Sequence, residues 1–448
     1  MLEQTRMSLL RRVHDAQREW RAPAIAVRVL REGESVLDVC LGDASGDGGG
    51  LPPEPASTQF RIGSITKTFT AVLVMRAWER GELDLDAPIS LVLPELNGTT
   101  LTARALLSHG SGLQREPVGD IWWTLAMPGD VTSLLAGLDQ ATQVLKPWQR
   151  WHYSNLGYAV LGEVVARLAG VSWQELLQRD LLTPLGLSHI SVAPSEQSAR
   201  GCFVHPFADT VTIEPDVDCA ALSPAAQLWS SVADLARWGD ALAAPPAGVL
   251  LGSTVDLMCA PVTMYDLNAW TLGWGLGPML HRRGERIVVG HDGAMPGFLS
   301  GLAVRRSERV VAAVLVNTGC EADPGGLAVD LALALVDAEP AIAAPWAVGP
   351  PVPGDLEELL GTWWSEGSAF SFEWRGGQFT ARAAQAPAER APAVFDPVAP
   401  DRWTTVSGRE QGEELRVVRR PDGQVLRLHW ATYAFTREPR GFAPGEPG

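Results

Sequence analysis

Residues 60–81 read FRIGSITKTFTAVLVMRAWERG. The stretch from Ser64 to Arg80 is predicted to be a helix. Its centre, Ala71-Val72-Leu73-Val74-Met75, is apolar on every side, which places it in a domain core rather than at the surface. Gly81 stands where a helix C-cap is expected. Ser64 and Lys67, at the start of the stretch, are three residues apart, so their side chains share one helical face. Lysine occurs only twice in the 448 residues, at Lys67 and Lys146, while arginine supplies every other basic side chain except histidine. A serine hydroxyl needs a base before it can act as a nucleophile. A buried lysine can lose its proton and serve, whereas an arginine cannot. The N–H groups and positive dipole end of a helix start also favour a developing oxyanion.

To the N-terminal side, residues 7–20 read as an amphipathic helix. Residues 24–31 and 35–41 read as strands of a hairpin turning at Gly33. To the C-terminal side, residues 86–220 are mostly helix and loop, with a helix expected at 156–169, and another follows at 230–243. Strand patterns return at 286–291, 299–305 and 309–316, before a closing helix at 325–338. The alternation expected of a doubly wound parallel sheet is missing. The layout predicts an α+β fold: an antiparallel sheet flanked by helices, with a mostly helical insertion. Residues 1–338 form this domain. Residues 339–354 are rich in Pro and Ala and read as a linker. Residues 355–448 read as a small β-rich domain of short alternating strands, a sandwich or barrel.

Apolar residues make up 46% and charged residues 20% of the chain, as in ordinary folded proteins. The net charge of −16 and the absence of a basic stripe argue against nucleic acid and anionic membrane surfaces as partners. The N-terminus lacks the apolar core of a signal peptide, and no apolar run approaches a membrane span, so a cytoplasmic protein is expected. The five cysteines, Cys40, Cys202, Cys219, Cys259 and Cys320, are odd in number and include no Cys-x-x-Cys, which points to reduced thiols. There is no His-Glu-x-x-His, and no serine has the glycine spacing of an α/β-hydrolase elbow.

Two further motifs join the Ser64–Lys67 pair. Tyr153-Ser154-Asn155 lies in a loop just before a helix. A tyrosine phenol has an ordinary pKa of about 10, and a nearby ammonium favours the phenolate, which can act as general base. Asn155 offers an amide to the lysine or to a substrate. His291-Asp292-Gly293-Ala294 is expected at the end of a strand, where Gly293 allows close approach and an N–H can complete an oxyanion hole. His109, in a Gly- and Ser-rich loop, is expected to make structural hydrogen bonds. Trp122, Trp123, Trp148 and Trp151 cluster around the Tyr153 loop, either as packing residues or as an aromatic wall for an apolar acyl group.

Together these motifs resemble the serine β-lactamase and penicillin-binding-protein superfamily, for which Ser-x-x-Lys is a signature. The class C β-lactamase branch, with its esterase, D-aminopeptidase and DD-carboxypeptidase relatives, is the more similar. Phe60-Arg61-Ile62-Gly63, Leu106 to Leu113, Pro184-Leu185-Gly186-Leu187 and His291 to Phe298 agree in character, so the resemblance covers about residues 10–340. Some peptidase relatives carry a lipocalin-like barrel after this domain, and residues 355–440 are similar in pattern.

The resemblance implies that Ser64 is the acylated nucleophile and that Lys67 and Tyr153 shuttle the proton. Asn155 and His291 would position substrate, and the N–H groups of Ser64 and Ala294, beside Gly293, would form the oxyanion hole. No metal or organic cofactor is implied. The expected function is a serine hydrolase acting on a small ester, amide or peptide, of esterase or D-amino-acid peptidase type. A β-lactamase or DD-carboxypeptidase is the alternative within the class. A catalytically inactive interaction protein is the alternative outside it. The oligomeric state, including a homo-oligomer, stays open. Two departures stand out. The lactamases begin their third motif with lysine where this chain has His291, a weaker charge for a β-lactam carboxylate. Many relatives have paired glycines where this chain has Ala226-Gln227.

Overall fold

The computed structural model describes residues 1–138, 143–342, 345–387 and 390–440, in two compact units, Met1–Ala341 and Ile342–Gly448. The ends of the sequence-defined linker and second domain are touched by this limit, since residues 343–344 and 441–448 lie outside the described residues. Among those described, residues 339–354 contain no helix or strand.

The first unit opens with helix α1 (Glu3–Glu19) and the hairpin β1 (Ala24–Arg31) and β2 (Glu34–Gly42). The buried helix is α2 (Thr66–Glu79); α3 (Asn155–Ala169) and α4 (Val232–Ala243) follow. Then come β3 (Thr263–Met264), β4 (Leu272–Trp274), β5 (Met279–Arg283), β6 (Arg286–Met295), β7 (Phe298–Arg305) and β8 (Val310–Val316), and finally α5 (Pro324–Ala338). All eight strands form one antiparallel sheet in the order β2-β1-β8-β7-β6-β5-β4-β3.

Period-two alternation sorts the side chains. In β8, Val311, Ala313 and Leu315 face the core that contains α2, α3 and α4, while Val310, Ala312, Val314 and Val316 face the core made with α1 and α5. The sheet is thus covered on both faces, which is why β8 is apolar throughout. Helix α2 is enclosed on all sides. Phe69 stacks on Trp238 of α4 at 3.9 Å. Its threonines are satisfied there: Thr68 accepts from the Trp238 indole at 2.8 Å and Thr70 from that of Trp173 at 3.0 Å. Among the described residues, no helix is long and apolar enough to cross a membrane.

Three sequence expectations shift. The α-helix begins at Thr66, and Ser64 sits in the 3₁₀ turn Gly63–Ile65 before it. The His291 motif lies in mid-strand, because β6 continues to Met295 and turns through Pro296-Gly297, with Gly297 at φ +73°, into β7. Strands β3 to β5 lie in a stretch where Gly273, Gly275, Gly277 and Pro278 break up the alternation that would announce them.

The second unit is an antiparallel barrel of eight strands, β9 (Gly361–Ser365), β10 (Ser368–Arg375), β11 (Gln378–Ala383), β12 (Ala393–Ala399), β13 (Arg402–Thr405), β14 (Glu414–Arg419), β15 (Val425–Trp430) and β16 (Tyr433–Phe435), each paired with the next. Reciprocal backbone hydrogen bonds between Trp364 and Thr436 join the last strand to the first. Phe372, Phe379, Phe395, Trp403, Trp430 and Phe435 are buried together inside it. Arg437 lies 3.9 Å from the centre of the Trp363 ring and donates to the carbonyls of Leu360 and Thr362.

Candidate active site

Two glycines bring the Ser64 turn against strand β6. Gly63 has φ +48°, and a methyl group there would sit 2.6 Å from the Ala294 nitrogen. A methyl at Gly293 would sit 2.0 Å from the Ile62 carbonyl. Ser300 of β7 donates to that same carbonyl at 3.0 Å. Ser64 is therefore held beside the backbone of Ala294, the arrangement an oxyanion hole requires.

Lys67 is fully enclosed, at 0% exposure. Its Nζ reaches three oxygens: Ser64 Oγ at 3.0 Å, Asn155 Oδ1 at 2.6 Å and the Ala225 carbonyl at 2.9 Å. Burial pulls its pKa down to about 7. The charge of Glu116 opposes this and that of Arg115 adds to it. At neutral pH the amine exists in both forms and can take a proton from Ser64.

Tyr153 lines the same pocket as Ser64. Its phenol is hydrogen-bonded to Ser64, yet burial pushes its pKa well above the ordinary value. Lys67 Nζ approaches the face of the ring, 4.8 Å from its centre, and Arg115 stands at 5.0 Å. A charge over the ring does not stabilise a phenolate as a hydrogen bond to the oxygen would, so the group is a protonated phenol at the reacting oxygen. Of the two groups, the Lys67 amine is the one whose pKa lies near neutrality.

Ser154 caps α3, its hydroxyl accepting from the Gly157 N–H at 2.9 Å. The cap places Asn155 in the first turn. Its amide accepts from Lys67 and donates to Glu116 Oε1 at 2.5 Å. Asn155 therefore holds the lysine, one of the two partners expected of it. Glu116 was missed in the sequence, since it lies in a loop with no periodicity to mark it. His109, buried at φ +56°, accepts from the Ser154 N–H at 3.1 Å and stacks 4.3 Å from Tyr153, so it supports that loop.

A pocket of about 340 Å³ opens beside Ser64 and Tyr153, lined by His291, Asp292, Gly293, Ala294, Trp274 and Met279 among others. His291 is 2% exposed, and its Nδ1 lies 2.6 Å from the Asp292 carbonyl, so Nδ1 carries the proton. Burial, then the Lys67 charge, lowers its pKa to about 3, which leaves a neutral ring with an unpartnered Nε2.

None of the four clustered tryptophans lines the pocket. Trp151 packs on Tyr265 and Trp274 at 4.8 and 4.9 Å, Trp148 covers Gly110, and Trp123 is 90% exposed. The aromatic wall is Trp274. Gln227, in place of a glycine, accepts from Cys219 N–H at 2.8 Å and Arg61 at 3.3 Å, bracing the wall behind Lys67. The five cysteines are free thiols.

A helix-flanked antiparallel sheet with a Ser-x-x-Lys turn beneath a central strand defines the penicillin-recognising class of folds. The chain matches the β-lactamase family over residues 10–336 and belongs to it. Residues 352–437 match a domain of unknown function, DUF7586. Penicillin-binding protein 4 of Amycolatopsis lactamdurans is 30% identical over 69% of this chain and 85% of its own length. The octameric penicillin-binding protein homologue from Pyrococcus abyssi shares the fold with a TM-score of 0.65 at 21% identity, over 96% of this chain and 99% of that one. A D-stereospecific amidohydrolase from Streptomyces has a TM-score of 0.62 at 22% identity, over 72% of this chain and 97% of that one. The fold is that of acyl-enzyme serine hydrolases.

Proposed function

We propose that the protein hydrolyses a small ester or amide, including amides of D-amino acids, through an acyl-Ser64 intermediate. The observation that carries this is the fully buried Lys67 amine 3.0 Å from Ser64 Oγ, with a pKa near neutrality. Neutral Lys67 takes the Ser64 proton as Oγ bonds to the substrate carbonyl carbon. The carbonyl π electrons move to oxygen, which the N–H groups of Ser64 and Ala294 hold. When the tetrahedral intermediate collapses, the bond to the leaving group breaks and that group takes the proton that Lys67 accepted from Ser64, with the Tyr153 phenol hydrogen-bonded at the same oxygen. Water then attacks the acyl carbonyl, giving its proton to the same pair, and Ser64 leaves with a proton restored.

The neutral His291 supports an ester or amide over a β-lactam or a DD-peptide, both of which present a carboxylate. Arg115, a cation lining the pocket, and the similarity to penicillin-binding protein 4 favour the β-lactamase or DD-carboxypeptidase reading. The test is intact-mass spectrometry of wild type and Ser64→Ala after exposure to a p-nitrophenyl ester and, separately, a penicillin. An adduct or turnover with the ester that vanishes in Ser64→Ala supports the proposal. Faster acylation by the penicillin favours the alternative, and no reaction with either favours a non-catalytic binding protein.

A further inference from the structure

Gly293 leaves a gap in the face of the sheet, and Ser300 uses it. The two are direct partners across β6 and β7, so their substituents leave the sheet on one side. A methyl on Gly293 would stand 2.3 Å from Ser300 Oγ as well as 2.0 Å from the Ile62 carbonyl. The missing side chain is thus a window through which the Ser300 hydroxyl reaches from β7, past β6, to the backbone ahead of Ser64. Ser300 is fully buried, and its bond to the Ile62 carbonyl is 3.0 Å long. The same oxygen accepts the Ile65 N–H at 3.1 Å, the bond that closes the 3₁₀ turn carrying Ser64. Among the described residues, this hydroxyl makes the only side-chain hydrogen bond from the eight-stranded sheet to residues 62–65.

We infer that Ser300 is a positioning residue for the hydrolysis proposed above, on which this assignment rests: its hydroxyl locks the Ser64 turn to β6 and so sets the spacing of the two oxyanion donors, the N–H groups of Ser64 and Ala294. The two donors come from different segments. Ser64 and Lys67 belong to one continuous turn and helix, and their 3.0 Å contact is internal to it. Ala294 belongs to β6. A shift of the turn against the sheet therefore leaves the nucleophile and its base together and separates only the donors. The bare backbone at Gly63 and Gly293 permits the close approach, but contact alone has no direction along the strand. A hydroxyl-to-carbonyl hydrogen bond does, because it weakens steeply as its angle opens. An oxyanion hole works through donors aimed in advance at the developing charge, so an error in their spacing is felt in the transition state rather than in substrate binding.

The test is Ser300→Ala in the full chain. The Ile62 carbonyl keeps the Ile65 N–H, so the variant leaves no orphaned acceptor and should fold. With a neutral p-nitrophenyl ester, kcat falls by about tenfold or more, since a small misplacement of catalytic groups costs up to about a hundredfold, while KM stays within about twofold. The acidic limb of the pH profile does not move, because Lys67 and Ser64 stay together. The decisive readout compares the ester with its thiono analogue, whose sulfur is a poor acceptor for an oxyanion hole. Ser300→Ala lowers the oxo-to-thiono ratio of kcat/KM by about the factor lost from kcat. An unchanged kcat overturns the inference. So does an equal loss on both esters, which marks a general packing role. A variant that is unfolded by circular dichroism overturns it too, since the hydroxyl then serves the fold. In all three cases the hydrolase reading stands. A wild type that leaves the oxo ester intact removes the hydrolase reading and this inference with it.

Discussion

Replacing Glu116 by glutamine removes one negative charge and keeps an acceptor for the Asn155 amide. The charge acts on Lys67 through that amide, with contacts of 2.6 Å from Nζ to Asn155 Oδ1 and 2.5 Å from Nδ2 to Glu116. The bridge sets the two charges about 7 Å apart, and at an effective dielectric of about 20 their attraction is about 2 kcal/mol. That is worth between about 1 and 2 pH units. Glu116 favours the ammonium form, so its loss lowers a pKa that already stands at about 7. Arg115, freed of its partner, pushes the same way. In the wild type the base is lost as pH falls through about 7; in Glu116→Gln it survives to about pH 5–6. The assay is kcat/KM for a neutral p-nitrophenyl ester across about pH 5 to 9. The acidic limb should move down, and at about pH 6 the variant should outpace wild type several-fold. A limb that stays in place, or moves up, would refute the assignment of Lys67 as the base controlled by Glu116.

Lys67→Arg should abolish acylation of Ser64 by mass spectrometry, because a guanidinium with a pKa above about 12 cannot take the proton. Gly293→Ala drives a methyl to 2.0 Å from the Ile62 carbonyl and should cost about 1–3 kcal/mol by chemical denaturation, with a larger loss of activity than of stability as the Ser64 turn moves away from Ala294. Burial lowers the Lys67 pKa from 10.5 to about 7, so between those values the unfolded chain binds more protons than the folded one. The stability of wild type relative to Lys67→Met should therefore rise with pH from about 7 to about 10 and be flat below 7. A flat difference throughout would show that the lysine is not desolvated.

The buried helix, the flanking strands and the Ser64–Lys67 contact were legible because each follows from short-range pattern: an all-round apolar run, two-residue alternation, and a three-residue spacing on one face. Lys67 stood out through the scarcity of its type. Glu116 and Trp274 were not legible. Both come from segments without periodicity, and both acquire meaning only when the chain folds them against Asn155 and Tyr153. The charge state of Tyr153 was out of reach of the sequence for a related reason. Sequence places an ammonium near a phenol, but only the structure shows that the ammonium meets the ring face and that burial outweighs it. His291 was read as a weak cation, and its buried, singly protonated ring is no cation at all.

The barrel of residues 361–435 also sets a limit on its own use. Its aromatic side chains meet ring to ring, with Phe379 and Phe395 centred 5.2 Å apart and Phe395 and Trp430 5.1 Å apart, so the space around the axis is occupied by the protein itself. On the outer wall and rim residues can change without disturbing the aromatic plug. Divergence among its relatives should therefore concentrate in the strand connections and the outward-facing positions, while the inward-facing rings stay large.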